Sequence, residues 1–289
     1  MPTTLSRKMV DNRCIITAEL APPRGSDMNA FLRMAAFVAP HVDAINVTDN
    51  QGANMRMTPL AAAALLVREG IEPIMQITCR DRNRLALQSD LLGAAAMGIH
   101  NLLALTGDHI TCGDHRQGRA VFDLDSVMLL QAIKGLNEGV DINGKKLDGH
   151  TTFFVGAAAA PEVEPFVVTR PKLAKKADAG ARFFQTQAVF DPQRLSMFCE
   201  AVQPLGMKVI AGILVLKSAK MAEYINRNIP GLKIPAAVVE RLAGSSDPAA
   251  EGLEIAMELA IQCRDICRGV HLMAMGRDEV VPEIVAALK

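Results

Sequence analysis

The feature that most constrains the fold is a regular alternation of short apolar runs with helical patterns along the whole chain. Most of the runs are apolar at consecutive positions, which is typical of strands that are buried on both faces. The runs predict eight strands, Arg13–Leu20, Ala44–Thr48, Glu72–Thr78, Asn101–Thr106, Thr152–Ala157, Arg182–Gln187, Lys208–Leu214 and Gly269–Met273. Eight strand-helix units predict an α/β protein, a single-domain (β/α)8 TIM barrel over residues 1–289.

Several predicted helices begin with a capping residue that is followed by proline at the first helical position. These starts are Thr58-Pro59, Asp191-Pro192 and Asp247-Pro248. The first of these helices ends at Gly70 and the last continues through Cys267, while Ile234–Leu242 predicts an extra helix before the last strand. A doubly wound open sheet is the alternative fold. It usually carries a G-x-G-x-x-G fingerprint after the first strand, and the sequence has none.

Charge and composition narrow the class of protein. Lys plus Arg and Asp plus Glu both number 31, so the net charge is zero and gives no general attraction to nucleic acid or an anionic membrane. No apolar run is long enough to cross a membrane, and the polar N-terminus does not resemble a secretory signal. The six cysteines form no C-x-x-C pair and are expected to be reduced thiols. We therefore predict a cytoplasmic protein.

Polar side chains occur where the predicted strands end. Glu19 follows an apolar run and precedes Pro22-Pro23, which end the strand. Gln76 and Gln187 are also flanked by apolar residues within their strands. A buried carboxylate is costly unless it has a use, and the carboxyl ends of barrel strands are where active sites form. The sequence therefore predicts a site for a polar small molecule at this end, although polar residues also mark ordinary loops.

Two further clusters have both functional and structural interpretations. "DHITCGDH" contains His, Cys and Asp residues that could ligate zinc, but their spacing does not match a standard site, and we predict no metal. "CRDRNR" places Arg80, Arg82 and Arg84 at the end of the third strand. They could form an ion-paired turn or bind phosphate or carboxylate groups.

A series of motifs in a fixed order resembles the methylenetetrahydrofolate reductase family. The motifs are "AELAPPRG", "VTD" with "GAN-x-R", "QITC", "LALTGD", "AAAAPEVEP", "KKADAGARFFQTQAVFD", "AGIL" and "NIPGLKIP". The resemblance covers about Arg13 to Arg277 and matches the catalytic barrel of the family. It implies a (β/α)8 barrel that binds FAD. It also implies reduction of 5,10-methylenetetrahydrofolate to 5-methyltetrahydrofolate, a step of one-carbon metabolism and methionine biosynthesis. Hydride would pass from NADH or NADPH to FAD, and then to the folate in a ping-pong reaction.

The resemblance also implies roles for individual residues. Glu19 matches the catalytic glutamate, which would supply a proton to N10 of the folate so that its five-membered ring opens. Asp108 matches an aspartate beside flavin and pterin, which is both catalytic and in contact with cofactor and substrate. Gln187 and Arg277 match folate-binding positions. The implied cofactor-binding residues are Thr48, Gln76, Arg80, Thr106, Gly107, Asp108, Phe122, Asp123 and Lys176.

The sequence departs from the family pattern mainly on the flavin side. Gln76 stands in place of His, Thr106 in place of Arg, and Ala160 in place of Tyr, while "GILVLKSAK" lacks the family's stacking Phe. Arg80, Arg82 or Arg84 could replace the missing Arg. Two alternatives remain open. The chain could be a folate-binding subunit that receives electrons from a partner protein or another donor, or a folate-dependent methyltransferase without flavin. A homo-oligomer is also possible.

Overall fold

Eight parallel strands close into a barrel in which each strand pairs with the next along the chain and the last pairs with the first. The computed structural model describes residues 3–11, 13–162, 166–229 and 231–289. The strands are β1 Ile15–Leu20, β2 Ala44–Val47, β3 Pro73–Thr78, β4 Asn101–Leu105, β5 Phe154–Ala159, β6 Phe183–Ala188, β7 Lys208–Leu214 and β8 Gly269–Met273. The predicted TIM barrel is confirmed, with strand ends shifted by at most two residues.

Helices follow the strands and cover the outside of the barrel. The described residues form eleven α-helices: α1 Thr4–Val10, α2 Asn29–Val38, α3 Pro59–Arg68, α4 Arg84–Ala96, α5 Ser126–Asn137, α6 Phe166–Asp178, α7 Pro192–Val202, α8 Ala219–Asn228, α9 Ala236–Gly244, α10 Pro248–Ile266 and α11 Val281–Ala287. The predicted extra helix is α9, two residues later than expected. Asp191 and Asp247 cap α7 and α10 with their side chains, whereas Thr58 makes no capping hydrogen bond to α3.

The larger core lies between the strands and the surrounding helices, and a smaller one fills the amino-terminal end of the barrel. Helix α1 closes that end by placing Leu5 and Met9, both buried, against the inward-facing apolar side chains of the strands. The Glu72 carboxylate accepts hydrogen bonds from the backbone amides of Thr4 and Leu5 and so fixes the start of α1. Because helix α1 closes one end of the barrel, the described part of the chain leaves the interior open at the carboxyl ends of the strands, here called the rim.

None of the described helices combines the length and the apolar character that crossing a bilayer requires.

Candidate active site

Glu19 lies near the end of β1, and its carboxylate points to the rim with 11% of the side chain exposed. Its Oε1 accepts a hydrogen bond of 2.9 Å from Nε2 of Gln51, which lies in the loop after β2. Its Oε2 lies 3.8 Å from Nε2 of His271 on β8. The carboxylate therefore lies between the loop after β2 and strand β8, at the carboxyl end of β1.

Beneath Glu19 the barrel interior contains a polar layer, made of Thr17, Asn46, Gln185 and His271. All four side chains are buried. Asn46 Nδ2 donates to Gln185 Oε1 at 2.9 Å and contacts His271 Nδ1 at 2.9 Å, and Thr17 Oγ1 also lies 2.9 Å from His271 Nδ1. Asn46 therefore donates to Nδ1, and a neutral His271 ring carries its proton on Nε2, the atom that faces Glu19.

A second carboxylate lies near Glu19 in the loop after β8. Burial is the largest cause that raises the pKa of Asp278, to about 6, and the neighbouring charges of Glu279 and Glu19 add to the effect. The Lys217 ammonium opposes it and donates a hydrogen bond to the carbonyl of Met275. The acidic side of the rim therefore has a carboxyl group whose pKa lies well above the usual value of an aspartate.

Two of the predicted cofactor-binding residues have unusual surroundings. The Thr48 hydroxyl, just after β2, is buried and has no hydrogen-bond partner among the described residues. Lys176 on α6 is 8% exposed, and its Nζ donates 2.6 Å to the carbonyl of Ala158 at the end of β5. Burial lowers the pKa of Lys176 to about 8, and repulsion from Lys172 adds to the effect. A buried hydroxyl and a buried ammonium with no carboxylate partner in the described chain are groups that a polar anionic ligand would satisfy.

The turn after β4 contains Thr106, Gly107 and Asp108. The Thr106 hydroxyl accepts a hydrogen bond from the Ser126 amide at the start of α5. Gly107 has φ of +92°, and a Cβ there would lie 3.1 Å from Cβ of Thr78, so this position requires glycine. Asp108 is exposed, and its carboxylate has no hydrogen-bond partner within the described chain. It is therefore free to contact a ligand.

The three arginines after β3 form ion pairs within the protein. Arg80 is 1% exposed and donates from Nε and Nη2 to the carboxylate of Asp81, and from Nη1 to the carbonyl of Asp108. The other two ion pairs are Arg82 with Asp49 and Asp90, and Arg84 with Asp123. The predicted cofactor residues Arg80 and Asp123 are therefore both engaged in internal ion pairs, and Arg80 also supports the turn that carries Asp108.

Phe122 and His109 provide an aromatic surface beside the turn after β4. Their rings stack with centroids 6.4 Å apart and planes inclined by 20°, and Phe122 has an unusual φ of +41°. In the same loop, Nδ1 of His115 lies 2.8 Å from Oδ1 of Asp114, and Asp114 forms an ion pair with Arg24. Within the described part of the chain, no three His, Cys, Asp or Glu side chains could hold a metal ion.

The remaining predicted site residues lie at different depths. Gln76 on β3 is buried, while Gln187 on β6 is exposed, and its amide makes no hydrogen bond within the described chain. Arg277 in the loop after β8 donates from Nη1 to the carbonyl of Ala249 on α10. Glu19, Asp108 and Gln187 thus share the rim as polar groups, whereas Arg277 is tied to a helix.

Sequence reasoning missed His271 and Asp278. His271 is a single polar residue in the apolar run "GVHLM", where histidine is usually a core residue. Its partners Thr17 and Asn46 lie 254 and 225 positions away, so only the closed barrel shows their relation. For Asp278, the sequence indicates a site residue only by position, since Asp278 directly follows Arg277 in the loop after a predicted strand.

A family model described as methylenetetrahydrofolate reductase matches residues 4–289. The chain belongs to the methylenetetrahydrofolate reductase family.

Three relatives of this family show how far the similarity extends. A probable methylenetetrahydrofolate reductase (NADPH) of Caenorhabditis elegans is 26% identical over 238 residues, which are 78% of this chain and 34% of the worm protein. The 5,10-methylenetetrahydrofolate reductase of Salmonella typhimurium is 25% identical over 287 residues, 94% of this chain and 89% of that protein. Methylenetetrahydrofolate reductase 1 of Schizosaccharomyces pombe is 23% identical, over 82% of this chain and 39% of the yeast protein.

Solved structures of other barrels resemble the fold of this reductase family member. A tryptophan synthase from M. tuberculosis aligns with a TM-score of 0.55 at 13% identity, over 100% of this chain and 99% of that chain. A 2,3-dimethylmalate lyase aligns with a TM-score of 0.52 at 11% identity, over 94% and 81%. At such low identity these similarities show the fold alone.

Proposed function

We propose that the chain reduces 5,10-methylenetetrahydrofolate to 5-methyltetrahydrofolate, with FAD as cofactor and NADH or NADPH as electron donor. The observation that carries this proposal is Glu19, a mostly buried carboxyl group at the end of β1. Gln51 donates a hydrogen bond to it and Nε2 of His271 lies 3.8 Å away, at the carboxyl end of the barrel strands. Membership of the family supports methylenetetrahydrofolate as the substrate on which this acid would act.

The chemistry explains why a carboxyl group belongs at this position. A proton transferred from Glu19 to N10 of the folate lets the bond between N10 and the bridging carbon break, and the electron pair of that bond stays on N10. The product is an N5 iminium ion whose carbon can accept a hydride and become a methyl group. Transfer from a positioned acid typically accelerates such a step by about 10²–10⁴-fold. Glu19 is thus the proposed catalytic acid.

Asp108 and Gln187 are proposed to bind the folate. Both are exposed at the rim, and neither side chain has a hydrogen-bond partner in the described chain. A carboxylate and an amide can together recognise the donors and acceptors of a pterin ring. Arg277 would contribute positive charge nearby, while its hydrogen bond to Ala249 keeps its side chain in place.

The residues around the ends of β2 and β5 fit an anionic, polar cofactor such as FAD. The Thr48 hydroxyl is buried without a partner, and Lys176 is a buried ammonium whose acceptor is a carbonyl oxygen. We propose that these two residues, with Thr106, Gly107 and Phe122, hold FAD. The bound flavin would supply the hydride chemistry, accepting a hydride from NADH or NADPH and donating it to the folate. Because the other end of the barrel is closed, donor and folate would use the same rim in turn.

The visible absorption spectrum tests this proposal most directly. We expect the purified protein to be yellow or to take up added FAD, as followed by calorimetry. We also expect NADH or NADPH to bleach the flavin without oxygen, and methylenetetrahydrofolate to restore its colour. A protein that stays colourless and binds no added FAD would contradict the proposed cofactor.

The segment after β7 favours a second candidate, in which the folate-binding barrel receives electrons from a partner protein or another donor. Val215 and Leu216 are buried, and the segment up to α8 contains no aromatic residue on which a nicotinamide ring could stack. Such a protein would bind folate but oxidise NADH and NADPH only after the partner is added. Steady turnover by the isolated chain would exclude it.

A further inference from the structure

The two glutamines of β6 have opposite environments although they are only two residues apart. Gln185 is 6% exposed and accepts a hydrogen bond from Asn46 in the polar layer. Gln187 is exposed, and its amide makes no hydrogen bond within the described chain. In a regular strand, residues two apart face the same way. The pairing of β6 with β7 shows that the strand is not regular between Gln185 and Ala188.

That irregularity is a β-bulge between β6 and β7. Gln185 pairs with Ile210, but Ala188 pairs with Gly212, so three steps along β6 match two steps along β7. The extra residue interrupts the alternation of the strand before Gln187. Val189 then donates its amide to the carbonyl of Gly212 at 2.9 Å, which restores the pairing after the bulge.

The Thr186 side chain fixes the bulge from within. Its hydroxyl accepts a 2.9 Å hydrogen bond from the amide of Gly212 and donates a 2.6 Å hydrogen bond to the carbonyl of Gln187. Thr186 is 4% exposed, so water does not compete effectively for these two bonds. One hydroxyl therefore links the main chain of β7 to the main chain of Gln187.

Gly212 leaves the space that the bulge needs. A Cβ at this position would lie 2.7 Å from the carbonyl oxygen of Thr186 and 2.8 Å from that of Gln187. Real Cβ atoms do not approach backbone oxygens so closely, so any side chain here would push the bulge outward. The missing side chain of Gly212 and the hydroxyl of Thr186 thus both stabilise the same bulge.

We propose that Thr186 and Gly212 lock the β6 bulge and thereby position Gln187 for binding of the folate. Thr186 is a positioning residue, since it acts through Gln187 and need not touch the ligand. Gln185, on the other side of the bulge, supports the barrel interior. This inference rests on the proposed function, in which Gln187 binds the substrate.

Three variants distinguish the loss of the hydrogen bonds that stabilise the bulge from a general loss of stability. Thr186→Val keeps the side-chain shape and removes the hydroxyl, whereas Thr186→Ser keeps the hydroxyl. Thr151→Val is the matched control. It removes a buried hydroxyl that donates a 2.6 Å hydrogen bond to Asn137 before β5, away from the rim. For Thr186→Val we expect a KM for methylenetetrahydrofolate about tenfold higher, with kcat within about twofold of the parent. Thr186→Ser and Thr151→Val should keep the parent KM.

Hydrogen exchange at the Gly212 amide gives a readout that does not depend on activity. In Thr186→Val we expect this amide to exchange about five- to tenfold faster, with no such change in Thr151→Val. If the Gly212 amide exchanged at the parent rate in Thr186→Val, the proposal would be wrong. It would also be wrong if Thr186→Val and Thr151→Val had the same KM for methylenetetrahydrofolate. Binding of 5-methyltetrahydrofolate to the parent protein is measured separately by calorimetry. If the parent protein binds no folate, the proposed function and the proposed role of Gln187 in substrate binding are both wrong. The exchange rate of the Gly212 amide still tests whether Thr186 stabilises the bulge.

Discussion

Nε2 of His271 lies 3.8 Å from Oε2 of Glu19 and has no hydrogen-bond partner among the described residues. The ring is buried, and its other nitrogen is fixed by Thr17 and Asn46. A buried N–H without a partner is costly, so a nearby carboxylate that can move closer is a natural acceptor. We therefore expect this N–H to orient the proposed catalytic acid when Glu19 moves closer.

The first prediction concerns Glu19→Gln, which keeps the size of the side chain but cannot deliver a proton. We expect reduction of the flavin by NADH or NADPH to continue at the parent rate. Reduction of methylenetetrahydrofolate should fall by about 10²–10⁴-fold, the usual contribution of a general acid. Stopped-flow measurement of the two half-reactions checks this. Equal losses in both would indicate a structural role for Glu19.

The second prediction concerns His271→Ala. Removing the ring deletes the group that orients Glu19, so we expect the folate half-reaction to slow by about tenfold while flavin reduction is unaffected. Thr17→Val is the comparison variant, since it keeps the ring but removes one of the two contacts to Nδ1. It should show a smaller loss in the same half-reaction. A uniform loss in both half-reactions would contradict a specific action on Glu19.

The order of the strands and the place of Glu19 were accessible from the sequence because they depend on local patterns. Continuous apolar runs mark buried strands, and the proline pair after Glu19 marks where the first strand ends. Strand β7 was predicted to the residue. Helix α1 was not predicted, because only Leu5 and Met9 of a polar segment are buried, and their partners are distant strands.

The rest of the site depends on contacts between distant residues. The sequence indicates arginines after β3, but not that Arg80 pairs with Asp81 rather than with a ligand. From the sequence alone, Gln185 and Gln187 look equivalent. The bulge that separates them depends on how β6 pairs with Gly212 of β7. Such relations are set by closure of the barrel, so local patterns do not contain them.

The third prediction concerns the pH dependence of FAD binding. Burial lowers the pKa of Lys176 to about 8, so the side chain is charged below this pH and neutral above it. Since a charged ammonium favours an anionic ligand, FAD affinity should fall as the pH rises through about 8. We expect Lys176→Met to bind FAD more weakly at pH 7 and to lose this dependence. Lys175→Met, on the exposed side of α6, is the control and should keep it. Calorimetric titrations between pH 6.5 and 9.5 measure both effects.

The fourth prediction concerns Arg82, whose partner Asp49 is fully buried. Asp49 also accepts hydrogen bonds from the amide and hydroxyl of Thr78, so its charge is held inside the fold. Arg82→Ala would leave this charge without its cation and should lower the free energy of unfolding by about 3–5 kcal/mol. Arg84→Ala breaks a more exposed pair with Asp123, which solvent screens, and should lower the free energy of unfolding far less. Urea denaturation compares the two. Equal losses would contradict a special role for the buried pair.

The last prediction uses Asp278, whose pKa burial raises from an ordinary value of 3.8 to about 6. The folded protein then binds more protons than the unfolded chain between these two values. Its stability is therefore favoured below about pH 4 and declines as the pH rises through about 6. Asp278→Asn removes this titration, so the variant should be more stable than the parent at pH 7.5, by about 1–2 kcal/mol after allowance for partial exposure, and equally stable near pH 4. Glu279→Gln, which changes an exposed neighbour, should show no comparable gain. Urea denaturation at several pH values measures the difference, and a gain that does not depend on pH would contradict this assignment.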